Sequence, residues 1–246
     1  MQSFDADLCM MAYVLLLVPK AVLDAPTIGT FQYHPSLLPY HRGPSSISWP
    51  IAMGKTQTGL SIFWPDEKLD EGPILLTKSC EIGPDDTLSS IYFDKLFPMG
   101  IEAMLESLDL VKAGVILKHA QDLSAGSYES WFTKELAQID WENHVDKVYN
   151  YIRAANPAPG AWATIKGQKV DFLASAKSAE AGTAGSILAI SDDGVLVSAK
   201  AGSILVKQVR PAGAKKTSAA EWAHEFDLKV GDAFDLLESK LASGAA

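Results

Sequence analysis

"IGTFQYHPSLLPYHRG" (residues 28–43) decides how the chain is read. Its first part, "IGTFQY" (28–33), is strand-like. His34 precedes Pro35, and a residue before proline is driven out of the α region. The strand therefore stays extended to its end and presents His34 at its C-terminal edge. In open α/β sheets that edge is where ligands bind. Working outward, "DLCMMA" (7–12), "GLSIFW" (59–64) and "GPILLTKSCEI" (72–82) are further strands, the last two close enough to form a hairpin. Between them, "PKAVLDA" (19–25) is a short helix started by Pro19, and "SSISWPIAMG" (45–54) is a second. Residues 85–114 show apolar positions near helical period. Thr87 suits an N-cap, Pro98 should kink or split the helix, and Gly114 is a good stop. Strands alternating with helices give an α/β class.

The texture changes downstream. Residues 115–137 have no clear period and read as a linker. "ENHVDKVYNYIRAA" (142–155) is an amphipathic helix. Short strands follow, with "KGQ" (166–168) and "DDG" (192–194) as hairpin turns. The expected organisation is a first domain over 1–114, a linker over 115–137, and a small all-β module, a barrel or sandwich, over 138–246. The chain starts almost inside a strand, where a parallel sheet normally opens with a strand, a glycine-rich turn and a helix. The first part is then an abbreviated sheet, or further strands lie upstream of Met1.

Bulk composition narrows the function. The 246 residues are 48% hydrophobic and 21% charged, an ordinary core-forming balance, and the net charge of −9 argues against a broadly basic nucleic-acid surface. Cys9 and Cys80 lack metal-ligand spacing and do not suggest a disulfide framework, so a reducing, cytoplasmic setting is the default. The most apolar run, "LCMMAYVLLLV" (8–18), is too short to span a bilayer and reads as a buried strand with its following loop.

The chemistry converges on two loops. Asp70 lies in "WPDEKLDEGP", a polar loop between two apolar strands, with Gly72 allowing a tight backbone. If those strands neighbour the one ending at His34, the loops can meet. A His–Asp pair can then hold a water or amine, polarise a carbonyl and shuttle a proton. The plainer readings are a solvated loop histidine and a solvated acidic turn (Asp66, Glu67, Asp70, Glu71). Tyr40 and His41 read as loop surface, and no phosphate loop, metal cluster or G-x-S-x-G is present.

The "HPSLLP…RG" loop and the D-x-G loop, with Asp70 lying 36 positions after His34, resemble the folate-dependent formyltransferase family. That family includes methionyl-tRNA formyltransferase and the hydrolase domain of 10-formyltetrahydrofolate dehydrogenase. The resemblance implies a partial doubly wound Rossmann-like domain lacking its first strands, followed by an OB-like barrel. It makes His34 and Asp70 the equivalents of the catalytic pair. It places the pteridine of 10-formyltetrahydrofolate in a slot lined by Tyr13, Val14, Leu15, Leu16 and Leu17. Ser36, Leu37, Arg42, Gly43 and Gly72 would help bind substrate. The transferases carry asparagine where this chain has Gln32. The glutamine amide can still donate to an oxyanion, but from a position shifted by roughly a bond length.

The implied step is attack on the formyl carbon, with no metal or redox cofactor required. His34 would stabilise or protonate the oxyanion, and Asp70 would take a proton from the nucleophile. Water as nucleophile gives formate, and the "HPSLLP-x-HRG" and "LFP-x-GI" wording leans toward the hydrolase domain. Initiator methionyl-tRNA is the alternative acceptor. Residues 138–246 hold 12 Lys and Arg against 13 Asp and Glu, little basic excess for tRNA, and "RPAGAKK" (210–216) is the one basic cluster there. A third reading is a folate-binding remnant without activity.

Overall fold

The apolar runs of the first half condense into one four-stranded sheet. β1 (Leu8–Met11), α1 (Lys20–Leu23), β2 (Gly29–His34), α2 (Ser48–Ala52), β3 (Gln57–Phe63) and β4 (Ile74–Glu81) follow in order in the computed structural model, which describes residues 5–237. The strands lie side by side in chain order. β1 is parallel to β2, and β2, β3 and β4 are antiparallel, so the expected β3–β4 hairpin is present. Alternation along β2 sends Phe31 and Tyr33 to one face and Gln32 and His34 to the other.

The helical stretch after β4 is three segments: α3 (Leu88–Ser90), a π-helical stretch (Ile91–Leu96) and α4 (Phe97–Lys112). Thr87 starts it with a reciprocal cap: its Oγ1 accepts from Ser90 N at 3.2 Å, and its N–H donates to Ser90 Oγ at 2.9 Å. Pro98 falls in the first turn of α4, where its missing N–H is harmless, and the π-helical residues precede it. Gly114, at φ +79°, follows the helix end in a conformation suited to glycine. α4 buries Gly100, Ala103, Met104, Ser107 and Val111. Ala103, Met104 and Val111 pack in one core with Phe31, Tyr33, Leu60, Ile62, Trp64 and Leu75 of the sheet. A Cβ on Gly100 would stand 2.9 Å from the Tyr33 ring, so the absent side chain lets helix and sheet approach.

Two expectations change. The run over 8–18 is not a buried segment. β1 is an edge strand with Met10 exposed, and Leu15, Leu16 and Leu17 are 64%, 81% and 68% exposed. The expected linker does not behave as a connector over its first part. Residues 115–131 belong to the first unit and run across its loops and β4. Ile74 and His119 exchange backbone hydrogen bonds of 2.8 and 2.9 Å, and Arg42 N donates to Ser127 O at 3.1 Å while Glu129 N donates to Arg42 O at 3.1 Å. Trp49 Nε1 reaches Ser130 O at 2.7 Å and Trp64 Nε1 reaches Leu117 O at 2.9 Å. The strap is aperiodic because its bonds go to loops rather than to a ladder.

The chain folds as two units: residues up to Ile51 with Lys55–Trp131, and Ala52–Gly54 with the chain from Phe132 on. In the second, α5 (Val145–Ala154) precedes β5 (Ala161–Ile165), β6 (Gln168–Ser178), β7 (Ile187–Ser191), β8 (Gly194–Ala199), β9 (Gly202–Pro211), β10 (Thr217–Ser218) and α6 (Ala219–Glu225). The strands form one antiparallel sheet in the order β5-β6-β9-β8-β7, with β10 on β9. The two predicted hairpins occur: Ile165 pairs with Gln168, and Ser191 with Gly194. Trp141, Phe172, Trp222 and Phe234 fill the core with ring centroids 5.3–6.4 Å apart. Arg210 of the basic cluster pairs with Asp171 at 2.8 Å, and Lys134 holds the other oxygen of that carboxylate. Among the described residues no helix is long and apolar enough to cross a membrane.

Candidate active site

His34 ends β2 with only 6% of its surface exposed, and Asp70, in the β3–β4 loop, is equally buried at 6%. β3 runs antiparallel to β2 with Phe63 opposite Gln32 and Ser61 opposite His34, so the loop that leaves β3 starts beside Gln32, and Asp70 lies within that loop. His34 Nδ1 stands 3.6 Å from Asp70 Oδ1. The two loops that the sequence placed in separate strand connections do meet.

Each partner has its other polar atom fixed by the backbone of the same loop. His34 Nε2 lies 3.1 Å from the His41 carbonyl oxygen, which only accepts, so Nε2 carries the hydrogen. Asp70 Oδ2 accepts from Gly43 N at 2.8 Å. In the neutral ring Nδ1 is then a lone pair facing a carboxylate oxygen across a gap too long for a direct hydrogen bond. Two acceptors facing one gap can share a single donor between them. Burial pushes the His34 pKa below the ordinary imidazole value, favouring that neutral ring. The Asp70 charge and the hydrogen bond to His41 pull the other way, and the charge of His41 adds to the lowering.

The loop geometry explains the glycines. Gly43 has φ +105°, and a Cβ there would lie 2.3 Å from Glu129 O. Gly72 leaves no room for a side chain: a Cβ would lie 1.8 Å from Trp64 O. Asp70 itself is at φ +57°, in the left-handed region. Gln121 holds that turn from outside, its Nε2 donating to Asp70 O at 2.9 Å and to Gly72 O at 2.7 Å. Ser61 of β3 ties the other loop, donating to Ser36 O at 2.8 Å and accepting from Leu38 N at 3.0 Å.

Other predicted residues take less direct places. Gln32 shares the His34 face of β2, and its Nε2 reaches the Val14 carbonyl at 3.4 Å, tethering the β1–α1 loop. Tyr13 is at φ +61° with its ring 6.0 Å from Tyr92, and Leu15 to Leu17 stand in the open. Ser36 is fully buried, and its hydroxyl donates to Tyr40 O at 2.7 Å. Leu37 packs against Gly59. Arg42 is held by Glu71 at 2.8 Å and donates to Ser127 O at 3.3 Å. Ser36, Leu37 and Arg42 build the loop rather than project from it, whereas Tyr13 and Leu15 to Leu17 project. His41 is the clear correction. Its side chain is 13% exposed and its Nδ1 lies 3.2 Å from Glu129 Oε2, so it is not loop surface. Gln121, Ser127 and Glu129 escaped the sequence reading because nothing in an aperiodic polar segment marks them.

A buried His–Asp pair in a mixed α/β sheet, its two facing atoms both acceptors, is an arrangement that can handle a proton. Comparison with known proteins gives the class a family. The profile described as formyl transferase matches residues 1–107, and that described as formyl transferase, C-terminal domain, matches 132–227. The chain is 34% identical over 230 residues to methionyl-tRNA formyltransferase of Trichlorobacter lovleyi, covering 94% of this chain and 72% of that protein. It is 42% identical over 174 residues to mitochondrial 10-formyltetrahydrofolate dehydrogenase of Mus musculus, covering 71% of this chain and 19% of the relative, so it spans about a fifth of that protein's length. The crystal structure of HypX from Aquifex aeolicus in complex with tetrahydrofolic acid shares the fold, with TM-score 0.75, 23% identity, and 94% and 40% of the two chains covered. The chain belongs to the formyl transferase family.

Proposed function

We propose that this chain removes the formyl group of 10-formyltetrahydrofolate with water as acceptor, and that His34 and Asp70 activate the water. One observation carries the reading. His34 Nε2 and Asp70 Oδ2 are both committed to the backbone of residues 41–43, and this aims Nδ1 and Oδ1 at one gap of 3.6 Å. A water there donates one hydrogen to each and keeps a lone pair for the formyl carbon. As the new C–O bond forms, Nδ1 takes a proton, and the resulting imidazolium faces the developing oxyanion. The C–N10 bond then breaks and N10 receives that proton. The second proton passes to Asp70 and on to solvent, leaving tetrahydrofolate and formate. Gln32 keeps one amide hydrogen beyond its bond to Val14 and shares the His34 face, so it supplies a second oxyanion donor. Tyr13 to Leu17 offer the exposed apolar surface against which the pteridine would stack.

The similarity to a methionyl-tRNA formyltransferase over 94% of the chain favours a second reading, in which an amine replaces the water. Two assays separate them. Incubation with 10-formyltetrahydrofolate alone should release formate at a rate that His34→Ala lowers at least about a hundredfold. Addition of methionyl-tRNA at low salt should yield no formylated product. Formylated tRNA without formate release would establish the second reading, and folate binding without either product would overturn both.

A further inference from the structure

We propose that His41 and Glu129 are a positioning pair that sets the tautomer and orientation of His34. The inference rests on the catalytic role given to His34 above, but its first readout does not. His41 sits at φ +55°, a left-handed conformation rare for a residue with a side chain. That conformation turns its carbonyl toward His34 Nε2, which donates to it at 3.1 Å. Two contacts from the strap keep it there. His41 N donates to Ser127 Oγ at 2.9 Å, and Nδ1 of the ring meets Glu129 Oε2 at 3.2 Å. Both side chains of the pair are nearly enclosed, 13% and 12% exposed. The strap is anchored at the same place, since Glu129 N donates to Arg42 O and the Glu129 carbonyl fills the space beside Gly43.

The chain of contacts runs Glu129 carboxylate, His41 ring, His41 carbonyl, His34 Nε2–H. Its consequence is chemical. While the carbonyl stays in place the hydrogen is held on Nε2, and Nδ1 stays bare toward Asp70. If His41 relaxes out of the left-handed region, the carbonyl swings away and the hydrogen can move to Nδ1, where it points at Asp70 and removes the lone pair that a water would use. The charged groups around His41 are Glu129 on the strap, the Arg42–Glu71 pair in and beside its own loop, and His34 across the carbonyl. Neither His41 nor Glu129 touches the reacting atoms.

The test reads His34 first by nitrogen NMR of the imidazole in the intact chain near neutral pH. Wild type should show one tautomer, with the hydrogen on Nε2. Glu129→Ala and His41→Gly should both give a mixture or the reverse tautomer. Glycine at position 41 tolerates the left-handed backbone, so it removes the ring without imposing strain. In formate release the same two variants should lower kcat roughly tenfold to a hundredfold, with KM for 10-formyltetrahydrofolate within about twofold. Their double variant should lose no more than either alone, and Glu129→Gln, which keeps an acceptor oxygen, should recover most of the rate. An unchanged Nε2–H tautomer in either variant would overturn the proposal, as would losses that multiply in the double variant. If Glu129→Ala does not fold, His41→Gly decides alone. If wild type releases no formate, the tautomer measurement still decides, so failure of the catalytic reading is distinguishable from failure of this one.

Discussion

Replacing Asp70 in two ways separates its structural work from its chemistry. Asp70 is buried at φ +57°, with Oδ2 bonded to Gly43 N at 2.8 Å and Oδ1 facing His34. The substitution Asp70→Asn keeps an acceptor for Gly43 N–H, and asparagine tolerates the left-handed backbone. A charged hydrogen bond is worth about 1.5–3 kcal/mol and a neutral one about 0.5–1.5, so Asp70→Asn should cost about 1 kcal/mol of stability. Asp70→Ala leaves the Gly43 N–H buried without an acceptor, about 1–3 kcal/mol, and loses the local tolerance that aspartate and asparagine have for the left-handed region. It should therefore cost about 2–3 kcal/mol, more than Asp70→Asn. Both substitutions remove the carboxylate that holds the water and takes its second proton, which should slow formate release by about 10²- to 10⁴-fold, a barrier increase of about 2.7–5.5 kcal/mol. Urea unfolding and formate release on the same preparations give both numbers. Asp70→Asn within fivefold of the wild-type rate would refute the chemical role. Asp70→Ala as stable as Asp70→Asn would refute the structural one.

Two further outcomes are expected. His34 must be neutral to accept a proton, and burial lowers its pKa, so formate release should rise with pH through a midpoint below the ordinary imidazole value of about 6.5. In the same sense, the stability held above that value should fall as pH drops through the folded pKa. Because Asp70 pulls the His34 pKa upward, Asp70→Asn should move the histidine titration seen by NMR further down; an upward move would contradict the assignment. Gln121→Leu removes both donors to Asp70 O and Gly72 O, and should cost roughly 2–4 kcal/mol in urea unfolding with a fall in kcat. A change below about 0.5 kcal/mol would show that the strap does not hold the turn.

Much of the first unit was legible because its signals are local. Pre-proline His34, the Thr87 cap, Gly114 and the paired apolar runs each act within a few residues of where they stand. The pair His34–Asp70 was legible only through motif spacing, since sheet order had to bring the loops together. What escaped was tertiary. Leu8 to Met11 read as a buried strand because they are apolar, yet β1 is an edge strand with Met10 exposed. His41 read as surface because its partner, Glu129, is far along the chain and on another segment. The strap looked like a linker because hydrogen bonds to loops leave no period in a sequence. Its three contributors to the site, Gln121, Ser127 and Glu129, act on carbonyls, an N–H and a ring supplied by residues 41–43 and 70–72.

The source of the oxygen in the product tests the account most directly. The chain is incubated with 10-formyltetrahydrofolate in oxygen-18 water, and the formate is read by mass spectrometry. The geometry of His34 and Asp70 predicts formate carrying a single labelled oxygen, formed in step with tetrahydrofolate and lost in Asp70→Asn. Unlabelled formate, or a formyl group found only on an added amine, would contradict it.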